Sequence, residues 1–103
     1  EKSKCEFEIE WTLNAQPYLT KKTNLLNIIQ KALKTVNGQE AIVDNGGGTS
    51  DGRWISPSGS EVIELGPRNQ TIHQIDEKIS LSDIDLLTKI YQQILVETNN
   101  QAE

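Results

Sequence analysis

Leu25, Leu26, Ile28, Ile29, Ala32, Leu33 and Val36 recur at three- and four-residue spacing, which lays apolar side chains along one stripe of an α-helix. The stripe stops at Asn37-Gly38, where glycine can take the left-handed conformation that ends a helix. Such a helix is unstable in water unless its stripe is covered. A second amphipathic stretch stands near the other end of the chain. Ser80 and Asp83 fit a capping box, Ile79 and Ile84 sit where a hydrophobic staple would close, and Ile84, Leu87, Tyr91, Ile94 and Leu95 continue the stripe. The polar tail "TNNQAE" is expected to fray.

The remaining segments follow a different period. "CEFEIEWTL" puts Cys5, Phe7, Ile9, Trp11 and Leu13 on one side and Glu6, Glu8, Glu10 and Thr12 on the other, which predicts a half-buried strand with an acidic wet face. Pro17, in "NAQPYLT", ends it and marks a crossing. "AIVD" predicts a short buried strand leading into the glycines, "SDGRWI" a short helix, and "EVIELG" another strand after "SPSG". That order implies an α/β fold, a sheet flanked by helices. Two short strands after residue 20 make too small a sheet to stand alone, so the chain reads as one end of a larger domain. It also contains no methionine, even at position 1, which predicts a processed chain or one cut from something longer.

At 103 residues the chain is one domain at most. Its net charge of -5, with Lys and Arg scattered, lacks the basic patch a nucleic-acid partner requires. Apolar runs are too short for a membrane span, and no signal segment opens the chain. The single Cys5 cannot form an internal disulfide, and the cytoplasm is the expected location. "NQT" at 69 to 71 matches a glycosylation acceptor, a pattern short enough to arise by chance.

Two features point to chemistry. "GGGTSDGR", residues 46 to 53, holds four of the chain's 7 glycines directly after a predicted strand. It lacks the endings of the nucleotide-binding fingerprints, which leaves a wide turn or a loop kept bare for a ligand. His73 is the only histidine. It reads either as a structural or surface residue or as one ligand of a metal whose other ligands are elsewhere, because zinc needs about four.

Taken together, "GGGTSDGRWI", "EVIELGPRNQTIHQIDE" and the capped helix ending in "IYQQILVE" resemble the C-terminal part of the desuccinylases in the co-catalytic zinc aminoacylase/carboxypeptidase family, and "IEWTLNAQPYLT" resembles the stretch just before it. The resemblance covers nearly the whole chain. It implies the C-terminal part of an α/β/α zinc-hydrolase sandwich preceded by one strand from the lid and dimerisation domain. Residues 1–19 would be that last lid strand and its return crossing, and residues 20–103 the closing segment of the catalytic domain. The parent would be a homodimer that hydrolyses N-succinyl-LL-2,6-diaminopimelate to succinate and LL-diaminopimelate with two zinc ions, cobalt being possible at one site.

In that family His73 matches a zinc ligand, Gly47 and Gly48 would be bare to admit substrate, Thr49 and Ser50 would donate hydrogen bonds to it, and Asn69 would contact it. No catalytic residue lies in this chain; the general base and the other ligands belong to a missing N-terminal half, so the chain alone is expected to be inactive. Asp51 and Arg53 belong to the motif, where they would support the site's residues or pair to hold the loop rather than touch substrate. Asp76 stands where the family usually has asparagine, and "WISPSGSE" departs from its pattern. The alternatives are a non-catalytic interaction module, or a related deacylase or peptidase acting on another N-acyl amino acid. Without its lid, the strand at 5–13 is expected to bury its apolar face against the chain's own helices or against a second copy.

Overall fold

The computed structural model describes residues 4–21, 23–46, 48–68 and 70–101. Helix α1 spans Asn24–Asn37. Thr23 caps it from extended backbone, its side chain accepting the Leu26 amide at 3.3 Å, which satisfies one donor of the open first turn. At the other end Gly38, at φ 73°, donates to the Lys34 carbonyl at 3.0 Å. The C-terminal boundary at Gly38 is the one the sequence predicts, and the cap at Thr23 is added by the structure. Helix α2, Gly52–Ile55, is a single turn continued by a 3-10 turn at Ser56–Ser58. Helix α3 spans Leu81–Gln101, and the Ser80 hydroxyl accepts the Asp83 amide at 3.0 Å, the first half of the predicted capping box.

The core lies where α1 meets α3. Ile29, Leu33 and Ile90 form its centre, and Leu25, Val36, Ala41, Ile63, Leu65, Leu86 and Ile94 pack around them. The stripe of α1 is the predicted one, with Ala32 fully enclosed. The face of α3 is turned from the expected stripe. Leu86, Ile90, Ile94 and Glu97 share the buried side, whereas Tyr91 and Leu95 stand 48% and 70% exposed. One position along a helix is about 100° of rotation, so Ile90 and Tyr91 cannot both face α1.

Glu97 is a carboxylate buried in this interface. Lys31 of α1 reaches it at 2.5 Å, and Gln93 donates to it at 2.9 Å from the preceding turn of α3. The hydrogen bond from Lys31 first, and that from Gln93 second, hold its carboxyl below the ordinary glutamate value, against the opposing effect of desolvation.

The α/β architecture expected from the sequence, including the strand preceding the sandwich, is overturned: among the described residues there is no strand and no sheet. Alternating or continuous apolar runs specify which side chains are buried, but a strand also needs a neighbour whose N–H and C=O groups face its own. Here those groups find side chains instead. The Gln30 amide grips Ala41 twice, donating to its carbonyl at 2.9 Å and accepting its N–H at 2.7 Å. Along "EVIELG", Thr20 donates to the Val62 carbonyl at 2.5 Å and Tyr91 to the Leu65 carbonyl at 2.7 Å. The Glu61 carboxylate accepts the Leu25 amide at 2.9 Å. Residues 5–13 do not fold back either. Phe7 and Trp11 are 78% and 90% exposed, so the expected burial against the chain's own helices does not occur.

Two outcomes follow from this packing. Ile90→Ala should destabilise the fold by roughly 2 to 4 kcal/mol, and Leu95→Ala on the outer face of α3 by less than about 0.5 kcal/mol, as measured by urea unfolding; equal losses would place the interface elsewhere. Glu97 has a folded-state pKa below its unfolded one, so its stabilising contribution is complete above about pH 4.3 and disappears as the pH falls through the lower folded value. Glu97→Gln should flatten this acid-side loss in a series of thermal melts, and an unchanged acid slope would show that Glu97 does not carry it.

Candidate functional site

The glycine loop leaves the core at Ala41, fixed there by Gln30 on α1. It turns at Asp44, whose carboxylate accepts the Gly46 amide at 3.0 Å, and enters α2 through Ser50. The Ser50 hydroxyl accepts the Gly52 amide at 2.8 Å and lies 3.5 Å from the Tyr18 hydroxyl, which donates to it. Gly48 and Thr49 are exposed and Ser50 is half-buried. Gly47 lies outside the described residues.

The glycines here serve two separate purposes. A Cβ on Gly52 would stand 2.7 Å from Val62 Cγ1 and 2.8 Å from the Tyr18 hydroxyl, so this glycine exists for close packing of α2. A Cβ on Gly48 would meet only His73 Nε2, at 3.9 Å. Gly48 is therefore the bare wall opposite the imidazole. Beside α2, the Arg53 guanidinium lies 5.2 Å from the Trp54 ring centroid, within cation–π range, while its buried Nε has no hydrogen-bond partner among the described residues.

His73 reaches that wall from a tight loop. The Gln74 amide donates to the Thr71 carbonyl at 3.1 Å, closing a turn with His73 in its third position at φ 61°. Asp76 also has φ 61°. Left-handed backbone is uncommon for residues other than glycine, although Asn, Asp and His are enriched there, so Asp76 and asparagine are both residue types that tolerate this position. Each such residue costs on the order of 1–3 kcal/mol and persists only where its surroundings hold it. Thr71 supplies that hold: its hydroxyl donates to the Lys78 carbonyl at 3.0 Å and accepts the Lys78 amide at 3.0 Å. Gln74 adds a bond from its side chain to the Gln70 carbonyl at 3.2 Å.

The structure thus brings together Gly48 and His73, with Thr49 and Ser50 next in the chain. Asn69 lies outside the described residues. His73 is exposed, and its Nε2 is a donor atom of the right type for zinc. Among the described residues no group of three His, Cys, Asp or Glu side chains could hold a metal ion. The chain fits zinc as the source of one ligand, not of a full shell. No helix of the described residues is long and apolar enough to cross a membrane. Sequence reasoning missed Tyr18 and Thr71. Tyr18 follows the crossing at Pro17 with no signal of its own, and Thr71 carried only a short acceptor pattern and its place in the stretch around His73.

The contrast between the two glycines is measurable. Gly52→Ala should destabilise the protein by about 1–3 kcal/mol through overpacking, while Gly48→Ala should leave its thermal unfolding nearly unchanged. Comparable melting temperatures for both variants would show that α2 can move away from Val62 and Tyr18.

Residues 4–97 match the model of Peptidase family M20/M25/M40. The chain is 47% identical over 93 residues, 90% of its length, to the succinyl-diaminopimelate desuccinylase of Psychrobacter arcticus, covering 23% of that protein. It is 48% identical over 92 residues to that of Marinobacter nauticus, covering 89% of this chain and 24% of that protein. With the enzyme of the same name from Pseudoalteromonas atlantica the identity is 50% over 90 residues, 87% of this chain and 24% of that protein. The chain therefore spans about a quarter of the length of the curated relatives it matches. On the match over residues 4–97, the chain belongs to Peptidase family M20/M25/M40.

Proposed function

We propose that this chain is the C-terminal segment of a zinc-dependent amide hydrolase that converts N-succinyl-LL-2,6-diaminopimelate to succinate and LL-diaminopimelate in the cytoplasm. The observation that carries this reading is the placement of Gly48 opposite His73 Nε2, the side-chain-free wall facing the one imidazole. The likeness to relatives named succinyl-diaminopimelate desuccinylase supports the choice of substrate. Residues 1–19 belong on this reading to a lid and dimerisation domain and residues 20–103 to the catalytic domain. The exposed apolar side chains of Phe7, Ile9, Trp11 and Leu13 suit a contact with lid or partner subunit.

His73 supplies one nitrogen to the metal centre, and two zinc ions, when bound, polarise the amide carbonyl and acidify the attacking water. Gly47 and Gly48 admit the substrate backbone without a side chain in the way. Thr49, next in the chain to Gly48, offers an exposed hydroxyl. Ser50 accepts the Gly52 amide and the Tyr18 hydroxyl, so its own proton remains available to a substrate carboxylate or to the oxyanion. Asn69 completes the substrate contacts. The general base and the remaining metal ligands come from the part of the enzyme outside these 103 residues.

In the full-length enzyme, His73→Ala should lower kcat by at least about a hundredfold, and Gly48→Val should raise KM or abolish turnover by filling the wall. The 103-residue chain with zinc should show no hydrolysis of the succinylated substrate in a direct assay of succinate release. Near-normal kinetics in His73→Ala, or turnover by the chain alone, would overturn the reading.

A further inference from the structure

We propose that Thr71 is the positioning residue for His73, its hydroxyl clasping the loop that presents the imidazole to the metal centre. The proposal rests on the assignment of His73 as a metal ligand. Residues 71–78 leave and return to the same point, and the two bonds across the mouth of this loop both belong to one atom, Thr71 Oγ1, which donates to the Lys78 carbonyl and accepts the Lys78 amide at 3.0 Å each. A hydroxyl can do both at once because it carries one proton and two lone pairs. The carbonyl of the same residue accepts the Gln74 amide at 3.1 Å and sets the turn that holds His73 at φ 61°. Thr71 therefore fixes the imidazole from both sides, through the turn in front of it and the closure behind it.

None of residues 71–78 packs in the apolar centre made by α1 and α3, so the side chains inside the loop contribute no such anchor. Ile72 is half-buried, whereas His73, Gln74, Ile75, Asp76 and Glu77 are all exposed, Ile75 by 95%. A loop with two left-handed residues and no apolar anchor beyond the half-buried Ile72 relaxes when its closure is removed. The direction of Nε2 toward Gly48 is then lost while the fold remains.

The test uses the full-length enzyme with Thr71→Val, which keeps the shape and removes the hydroxyl, and Thr71→Ser, which keeps the hydroxyl. Thr71→Val should speed hydrogen exchange at the Lys78 amide, weaken zinc retention against a competing chelator by about tenfold, and lower kcat with little change in KM. Thr71→Ser should restore all three to within about twofold, and the melting temperatures of both variants should match that of the parent. Unchanged Lys78 exchange in Thr71→Val overturns the clasp. Faster exchange with unaltered zinc retention, where His73→Ala does lose zinc, overturns the positioning role. If His73→Ala keeps its zinc, the ligand assignment itself falls and the proposal falls with it, an outcome separable from the others because Lys78 exchange is read independently.

Discussion

The contact of α1 with α3 through Ile29, Leu33 and Ile90 is the constraint on which everything else depends. The two helices come from opposite ends of the sequence, and what lies between them has no regular ladder of its own. It is hung from the pair by polar side chains. Gln30 holds Ala41, the Leu25 amide holds Glu61, and Tyr91 holds the Leu65 carbonyl. Ala41, Ile63 and Leu65 follow those bonds into the edge of the apolar cluster. Burial supplies the cohesion, and the hydrogen bonds decide which backbone groups stay satisfied as the chain crosses from one helix to the other.

What the sequence made legible was local. Gly38 and Ser80 act on backbone groups within four residues of themselves, so capping chemistry alone locates the end of α1 and the start of α3. The face of α3 was harder to read because Ile90 and Tyr91 are both large and adjacent, and only the partner helix chooses between them. The strands at 5–13, 41–44 and 61–66 were misread for a related reason. An apolar pattern marks side chains suited to burial, whereas pairing depends on a second segment; at Ala41, Val62 and Leu65 side chains take that place, and residues 5–13 stay exposed.

At the site, the residue types were legible and their support was not. The glycine loop and His73 stand out by composition, yet nothing in "GGGTSDGR" distinguishes Gly48, bare toward the imidazole, from Gly52, bare toward Val62 and Tyr18. Membership of the M20/M25/M40 peptidase family gives the motif its context. The structure separates the two glycines, Gly48 open toward the imidazole and Gly52 pressed against Val62 and Tyr18, and adds a loop in which His73 and Asp76 share the left-handed backbone.

The double bond from Gln30 to Ala41 has a mechanical meaning. A side-chain amide that both donates to and accepts from one residue acts as a two-pronged key, and only one register of the incoming segment turns it. A slip by a single residue would point the next carbonyl away and break both prongs together. The glycine loop is therefore phase-locked to α1: the angular setting of one helix dictates how far along the chain Gly48 begins.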